Sequence, residues 1–406
     1  MKKSIVFYGL VGIFFVILLF SPDYNFSLLN TGIYFTQGNV TIKDIKDAAT
    51  KSEVLFAEEG LYGSVLVDKK EDTVVNINYE GADYELKVNT DSFFGNLKTL
   101  KINGKIQCGN GRIDSVTTSL AGGLPTILGK KGTALDIGLG CGLTLGMLER
   151  GDFEDIDSIE IDPVVVEASK EFNDIQGNAL EDPRANIIVD DARNYLIRTD
   201  KKYDVIVNEP SHPYSTSCSN LLTKEFFLLM KERLKEDGIV IQWAPVGQLK
   251  SCDKPGFAIL YKTFSSVFPY NYAFISKTQI PMIQPYFTNS DGEIKAEYDE
   301  VYDYPDPRWK YGEVTLVGSL KPIDIEGYIN NFKESENDVV KHFREVKITD
   351  LRDHYLFSNE DVIGFADEVE FNTDDKPVIE FLVAKNLYSS KQDQCDIKEG
   401  IEFRGE

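Results

Sequence analysis

Histidine and cysteine are scarce, with three and five among 406 residues. Cys108, Cys141, Cys218, Cys252 and Cys395 show no CxxC spacing and have no neighbouring histidine. Neither a zinc site nor a dense disulfide framework is therefore expected, and no metal is assigned. Cys218 and Cys252 could pair if the body lies outside the cytoplasm. Positive charge is short as well: 43 Lys and Arg stand against 66 Asp and Glu, a formal net charge of -23. With no basic stripe, the chain would repel phosphates, which excludes nucleic acid as a partner. The same charge keeps a protein soluble and can steer cationic amines towards it. There is no internal repeat. At 42% hydrophobic, the chain can bury a full core and divide into two structural units plus attachments.

Long apolar runs are also lacking, with one exception. Lys2 and Lys3 precede an uncharged run from Ile5 to Phe20, about long enough for a short membrane helix. Residues 1-22 fit a membrane anchor or a signal segment; no small-x-small cleavage pattern follows, which favours an uncleaved amino-terminal anchor that places the protein at a membrane. The positive-inside rule would send the body across the membrane, and the side stays open.

The one concentrated glycine cluster is Asp136-Ile-Gly138-Leu-Gly140-Cys141-Gly142, after an apolar run and before Ser-Ile-Glu160-Ile-Asp162-Pro163. This order predicts strand, glycine turn, helix and a second strand ending in a carboxylate. It suits a nucleoside: glycines let the backbone approach the ligand, and an acid roughly 20 residues on can accept both ribose hydroxyls. A glycine turn alone often marks only a tight connection. The third glycine follows the second by two residues, unlike the dinucleotide pattern, and no lysine of P-loop type follows. Asp-x-Gly-x-Gly-x-Gly resembles the first motif of enzymes that bind S-adenosylmethionine or a close relative.

Further segments extend the likeness. Asp190-Asp191-Ala192-Arg193-Asn194-Tyr195-Leu196 follows the run Asn186-Ile-Ile-Val189, and Tyr203-Asp204-Val-Ile-Val-Asn208 leads into Glu209-Pro210-Ser211-His212-Pro213. Leu234-Lys-Glu-Asp-Gly238 precedes Ile239-Val-Ile-Gln242-Trp243. From about Glu53 to Lys321 the chain resembles the spermidine synthase family, the aminopropyltransferases. Glu59-Gly-Leu-Tyr62-Gly63 and Leu100-Lys-Ile-Asn103-Gly104-Lys-Ile-Gln107 resemble that family's amino-terminal β-domain. Asn372-Thr-Asp374-Asp375-Lys-Pro377 resembles a spermidine-synthase-like branch that is often membrane-attached.

The resemblance implies an α/β fold, with a Rossmann sheet like that of S-adenosylmethionine methyltransferases and a small amino-terminal antiparallel β-domain. It implies decarboxylated S-adenosylmethionine, or S-adenosylmethionine, as cosubstrate, an amine as acceptor and methylthioadenosine as product. By position Glu209 replaces the family's catalytic Asp, with His212 as the next catalytic candidate; a solvated strand-end carboxylate is the bland alternative for Glu209. Glu160 matches the ribose ligand and Asp191 the acid near the adenine. Asp136, Gly138, Gly140, Cys141, Gly142, Asp162 and Ala192 complete the cosubstrate set, and Gln107, Tyr62 and Tyr214 are expected on the acceptor side. A homodimer is a further expectation.

Three departures bear on the substrate. The turn position that carries an Asp in typical members is Cys141, and a thiol supplies no charge for an ammonium. The second Asp of the gate loop aligns with His212, and the family's Tyr-Gln pair falls near Thr117 and Thr118. Cys141 itself is expected as a small packing residue in the turn, not a nucleophile. Methyl transfer from intact S-adenosylmethionine stays open, because the missing Asp would have repelled its carboxylate. So does a non-catalytic nucleoside-binding membrane protein.

The expected organisation is anchor 1-22, tether 23-52, β-domain 53-125, Rossmann-like domain 126-321 with an acidic, Tyr-rich insertion at about 285-311, extension 322-388 and mobile tail 389-406. Helices are expected over Val164 to Phe172 and Thr223 to Leu234, and helical patterning over Ile323 to Phe365. Gly312 to Gly318 reads as a strand that finishes the sheet. His342 and His354 read as surface or packing residues.

Overall fold

The computed structural model describes residues 52-70, 73-79, 82-88, 96-211, 216-244, 256-276, 313-359, 362-363, 366, 369-381 and 402-403. The expected anchor and tether, His212, Tyr214, Cys252 and the acidic insertion lie outside them. Membrane localisation is corrected: among the described residues no helix is long and apolar enough to cross a membrane.

The amino-terminal unit is antiparallel, as its short β-branched runs split by Gly and Asn predict. Strands β1 (Ser52–Gly60), β2 (Gly63–Lys70), β5 (Leu97–Ile102) and β6 (Lys105–Gly109) form one sheet in that order, and β3 (Thr73–Tyr79) pairs with β4 (Ala82–Val88) as a separate hairpin.

The second sheet has eight strands. Its parallel half contains β7 (Gly132–Ile137), β8 (Phe153–Glu160), β9 (Ala185–Val189), β10 (Tyr203–Asn208) and β11 (Leu234–Ala244). Its antiparallel half contains β12 (Tyr270–Ser276), β13 (Glu313–Ser319) and β14 (Tyr355–Ser358). The order is β14-β12-β13-β11-β10-β7-β8-β9. The apolar runs Val205-Ile206-Val207 and Ile239-Val240-Ile241 are wholly buried, as strands covered on both faces must be. The strand expected from Gly312 to Gly318 does not finish the sheet: β13 inserts between β11 and β12, antiparallel to both. The edge comes from β14, a strand within a stretch whose periodicity had read as helical.

Helices cover the two faces. On one lies α1 (Arg112–Ile127), packed through Val116, Leu120 and Leu124 with α7 (Ile325–Phe332) and α8 (Asp338–Glu345). On the other, α5 (Lys224–Glu232) and α6 (Gly256–Ser265) bury Phe226, Phe227, Met230, Phe257 and Phe264. Full burial of each such side chain contributes roughly 1.5–3 kcal/mol. Helices α2 (Leu143–Glu149), α3 (Pro163–Ser169) and α4 (Ala192–Arg198) connect the parallel strands, and side chains of Asp162, Asp191 and Thr223 cap α3, α4 and α5.

A third, smaller core joins the two units. Val65, Val67 and Leu100 of the amino-terminal sheet pack on Cys141, Leu143, Val165, Ala168 and Phe172. The β-domain therefore sits directly on the glycine turn. At the other end, Asn372 is fully buried, donating to the Leu222 carbonyl (2.9 Å) and accepting from Ile379 N (3.2 Å). Arg193 holds Asp374 through two bonds of 2.6 and 2.8 Å. The Asn372-to-Pro377 motif thus fastens α4 and the start of α5. Glu402–Phe403 of the tail pairs with Val362–Ile363.

Candidate active site

Strand β7 has β8 on one side and β10 on the other, and the chain leaves β7 towards β8 and β9 before returning to β10. Ligands of open α/β sheets bind at such a switch point, beyond the carboxyl ends of the strands. The glycine turn follows β7 there, and Glu209 follows β10.

Gly138 has φ +96°, and a Cβ there would stand 2.8 Å from the Glu209 carbonyl oxygen, so only glycine lets the two strand ends pass this closely. Gly142 has φ +72°, and a Cβ would meet Gln176 Oε1 at 2.2 Å. Gly140 N donates to Glu160 Oε2 at 3.4 Å, while Glu160 Oε1 accepts from Asp162 N at 3.1 Å. Glu160 thus lies at the end of β8 against the turn, and burial raises its pKa, opposed by these amide bonds.

Glu209 accepts a short hydrogen bond from the Thr144 hydroxyl in α2. Burial pushes its carboxyl up to about 8; the Thr144 bond opposes this, and the charges of Asp136 and Glu313 add to it. Asp136 lies on β7, 0% exposed. Its Oδ2 accepts from Ser158 at 2.8 Å, its Oδ1 has no partner, and burial pushes it up to about 7. The crevice floor is therefore a set of desolvated carboxylates, with no Lys or Arg side chain bonded to Asp136, Glu160, Glu209 or Glu313 among the described residues.

Glu313 was not anticipated. It opens β13, where Oε2 accepts from Thr117 Oγ1 and Trp243 Nε1, each at 2.9 Å. Burial raises its pKa against these two bonds. The only signal in sequence is an acid at the start of a strand, and that strand reaches the site through antiparallel pairing that no local pattern reveals.

Other expected residues divide by what they touch. Gln107 accepts from the Ser211 hydroxyl, bringing β6 to the loop after Glu209. Asp191 caps α4 by accepting from Asn194 N at 2.8 Å, and Ala192 is packed in the core. Asp162 has both oxygens engaged, Oδ1 by Val164 N at 3.0 Å and Oδ2 by Leu61 N at 2.7 Å. It ties the β1–β2 turn to α3, a structural use of a residue expected at the cosubstrate. Tyr62 sits at the tip of that turn, 46% exposed. His354 places Nδ1 2.8 Å from the Ile275 carbonyl, and burial lowers the pKa of His342 to about 4.

Cys141 requires a correction. It is bonded to Cys108 of β6, so its sulfur joins the β-domain to the glycine turn and is no free thiol facing a ligand. The bridge spans 33 positions, which in the chain-entropy account is about 3–4 kcal/mol of stabilisation. The spacing gave no hint because the partners belong to different units. No group of three or more His, Cys, Asp or Glu among the described residues is placed to hold a metal.

Residues 120–286 match the spermine/spermidine synthase domain. Polyamine aminopropyltransferase 2 of Aquifex aeolicus is 26% identical over 241 residues, covering 59% of this chain and 45% of that protein. The polyamine aminopropyltransferase of Alkaliphilus oremlandii is 37% identical over 108 residues, 26% of this chain and 38% of its own length. That of Sulfurisphaera tokodaii is 29% identical over 221 residues, 52% and 67% respectively. The chain thus spans less than half the length of the first two. The crystal structure of spermidine synthase from Thermotoga maritima covers 73% of this chain and 88% of its own, with 17% identity and a TM-score of 0.48.

Proposed function

We propose that this chain is a transferase that moves an aminopropyl group from decarboxylated S-adenosylmethionine to an amine. The observation that carries the reading is Glu209, desolvated beside Asp136 and Glu313 at the switch point. A set of desolvated carboxylates favours a cationic ligand, and a protonated amine and a sulfonium are both cations. The similarity to polyamine aminopropyltransferases supports the same chemistry.

In the step, the amine lone pair attacks the methylene beside the sulfonium. A C–N bond forms, the C–S bond breaks with its electron pair passing to sulfur, and neutral methylthioadenosine leaves. Glu209 takes the proton from the attacking nitrogen. Its raised pKa makes it a stronger base: against an ammonium of pKa about 10 the gap is roughly 2 units instead of roughly 6, or about 3 instead of 8 kcal/mol. Glu160 would hold the ribose and Asp191 the adenine end, with the glycine turn beneath them.

Intact S-adenosylmethionine fits this floor less well, because its carboxylate would meet carboxylates. A thermal-shift titration tests this. Methylthioadenosine and the decarboxylated cosubstrate are expected to stabilise the protein by about 2.7 kcal/mol at one hundred times Kd, and the intact form to need a far higher concentration. Preference for the intact form would count against aminopropyl transfer.

A further inference from the structure

The hydrogen bond from Thr144 to Glu209 has closely packed backbone at both of its ends. At the Glu209 end, the residue's amide donates to the Ile137 carbonyl at 3.1 Å, and its own carbonyl oxygen would lie 2.8 Å from a Cβ on Gly138. At the other end α2 is held by three contacts. A Cβ on Gly122 of α1 would stand 2.6 Å from the Thr144 carbonyl oxygen, so α1 and α2 pack backbone against backbone at this residue. Gly142 and Gly146, one turn apart, both face Gln176, whose Oε1 and carbonyl oxygen would each meet a Cβ at 2.2 Å. The bridge from Cys141 to Cys108 fastens the residue before Gly142 to β6.

The hydroxyl serves Glu209 and not its own helix. Thr144 is the second residue of α2, 4% exposed, and its hydroxyl makes one hydrogen bond among the described residues, to Glu209 Oε2. A helical threonine commonly turns its hydroxyl back onto a carbonyl one turn earlier, as Thr118 does with Asp114 and Thr263 with Ile259. At Thr144 the bond instead crosses from the helix that follows the glycine turn to the end of β10. A β-branched side chain has few rotamers in a helix, so the direction of this hydroxyl follows from the backbone. Glu209 Oε1 accepts no bond among the described residues, so holding Oε2 leaves Oε1 for the attacking nitrogen.

We propose that Thr144 is a positioning residue for the transfer step: its hydroxyl holds the Glu209 carboxylate at a set angle to the glycine turn, so that the turn carrying the cosubstrate also aims the base at the nitrogen that attacks it. The inference rests on the aminopropyl-transfer reading and adds a residue to it. A hydroxyl suits the task because it donates to the carboxylate and, by rotating, accepts from the acid formed when Glu209 takes the proton. A valine fills nearly the same space and does neither.

The test compares Thr144→Val with Thr144→Ser. The Val variant is expected to lose about 10- to 100-fold in kcat, the cost of a base no longer held in line, with methylthioadenosine affinity unchanged. The Thr144 bond opposes the burial and the charges of Asp136 on β7 and Glu313 on β13 that raise the Glu209 pKa. Its loss should therefore carry the rising limb of kcat/KM upward from about 8 by roughly one pH unit. Thr144→Ser keeps the hydroxyl and should restore both the limb and most of the rate. A role confined to packing predicts a lower Tm or weaker nucleoside binding with the limb unmoved. The same link is read without turnover by a nuclear magnetic resonance titration of glutamate labelled at its carboxyl carbon, the Glu209 signal being the one lost in Glu209→Gln. Thr144→Ala serves if the Val variant does not fold. A Glu209 midpoint that stays in place when the hydroxyl is removed, or a Ser variant no better than Val, overturns the inference. A midpoint that rises in Val and returns in Ser, in a protein whose wild type releases no methylthioadenosine from decarboxylated S-adenosylmethionine, upholds the hold on Glu209 and instead overturns aminopropyl transfer.

Discussion

Glu209→Gln is expected to lower kcat by about 10²- to 10⁴-fold, the range for loss of a positioned general base, while methylthioadenosine affinity is unchanged. The amide keeps the shape and can still meet the Thr144 hydroxyl, but it cannot take a proton from the attacking nitrogen. The pH profile gives the same residue a second signature. Its carboxyl is pushed up to about 8 by burial, with Asp136 on β7 and Glu313 on β13 as the charged groups that face it. Because the base must be deprotonated and its pKa is raised, kcat/KM should rise with pH through about 8, not through the ordinary range near 4.3. In Glu313→Gln one of the repelling charges is gone, so the limb should move to lower pH. A Glu209→Gln enzyme with near wild-type turnover at saturating amine would remove Glu209 from the chemistry.

Glu160→Ala is expected to weaken methylthioadenosine about 100-fold or more, as two charge-assisted bonds to the ribose hydroxyls are lost. The protein should stay folded. Glu160 is a desolvated carboxylate whose bonds among the described residues are to backbone amides of the turn and of Ile161 and Asp162, so the fold gives up little when it goes. The Gly140 amide it holds would then be free, and some of the loss would come from a looser turn. Glu160→Gln separates the two contributions, since it retains a carbonyl acceptor for the amide but not the charge. Calorimetry on both variants is the check, and unchanged affinity in Glu160→Ala would show that this carboxylate does not meet the nucleoside.

The parts of the site that were legible in sequence are those written in a local pattern. Gly138, Gly140 and Gly142 mark a turn of positive φ angles in which a Cβ at Gly138 would collide with backbone, Glu209 stands at the end of the apolar run Val205-Ile206-Val207, and Glu160 stands at the end of the second strand of the strand-turn-helix-strand order. Parallel strand order follows from such alternation. What stayed hidden joins segments far apart. The Cys108–Cys141 bridge links two units, and Glu313 reaches the crevice only because β13 inserts between β11 and β12. Asp162 has a structural use that its place in the sequence does not reveal. Its place two residues after Glu160 fits a ligand, yet the Pro163 helix start and the β1–β2 turn engage both its oxygens. The helical patterning over Ile323 to Phe365 was right for α7 and α8 and failed at Tyr355–Ser358, where pairing with β12 overrides it.

Aminopropyl transfer is tested most directly by identifying the products of a single incubation. The wild-type protein is mixed with decarboxylated S-adenosylmethionine and 1,4-diaminobutane at pH about 8.5, just above the raised pKa of Glu209, in parallel with intact S-adenosylmethionine, and both mixtures are resolved by mass spectrometry. Methylthioadenosine and an amine heavier by one aminopropyl group, in equal amounts and only from the decarboxylated cosubstrate, is the predicted result. S-adenosylhomocysteine with a methylated product from the intact form, or no conversion of either by a protein that binds methylthioadenosine, would contradict it.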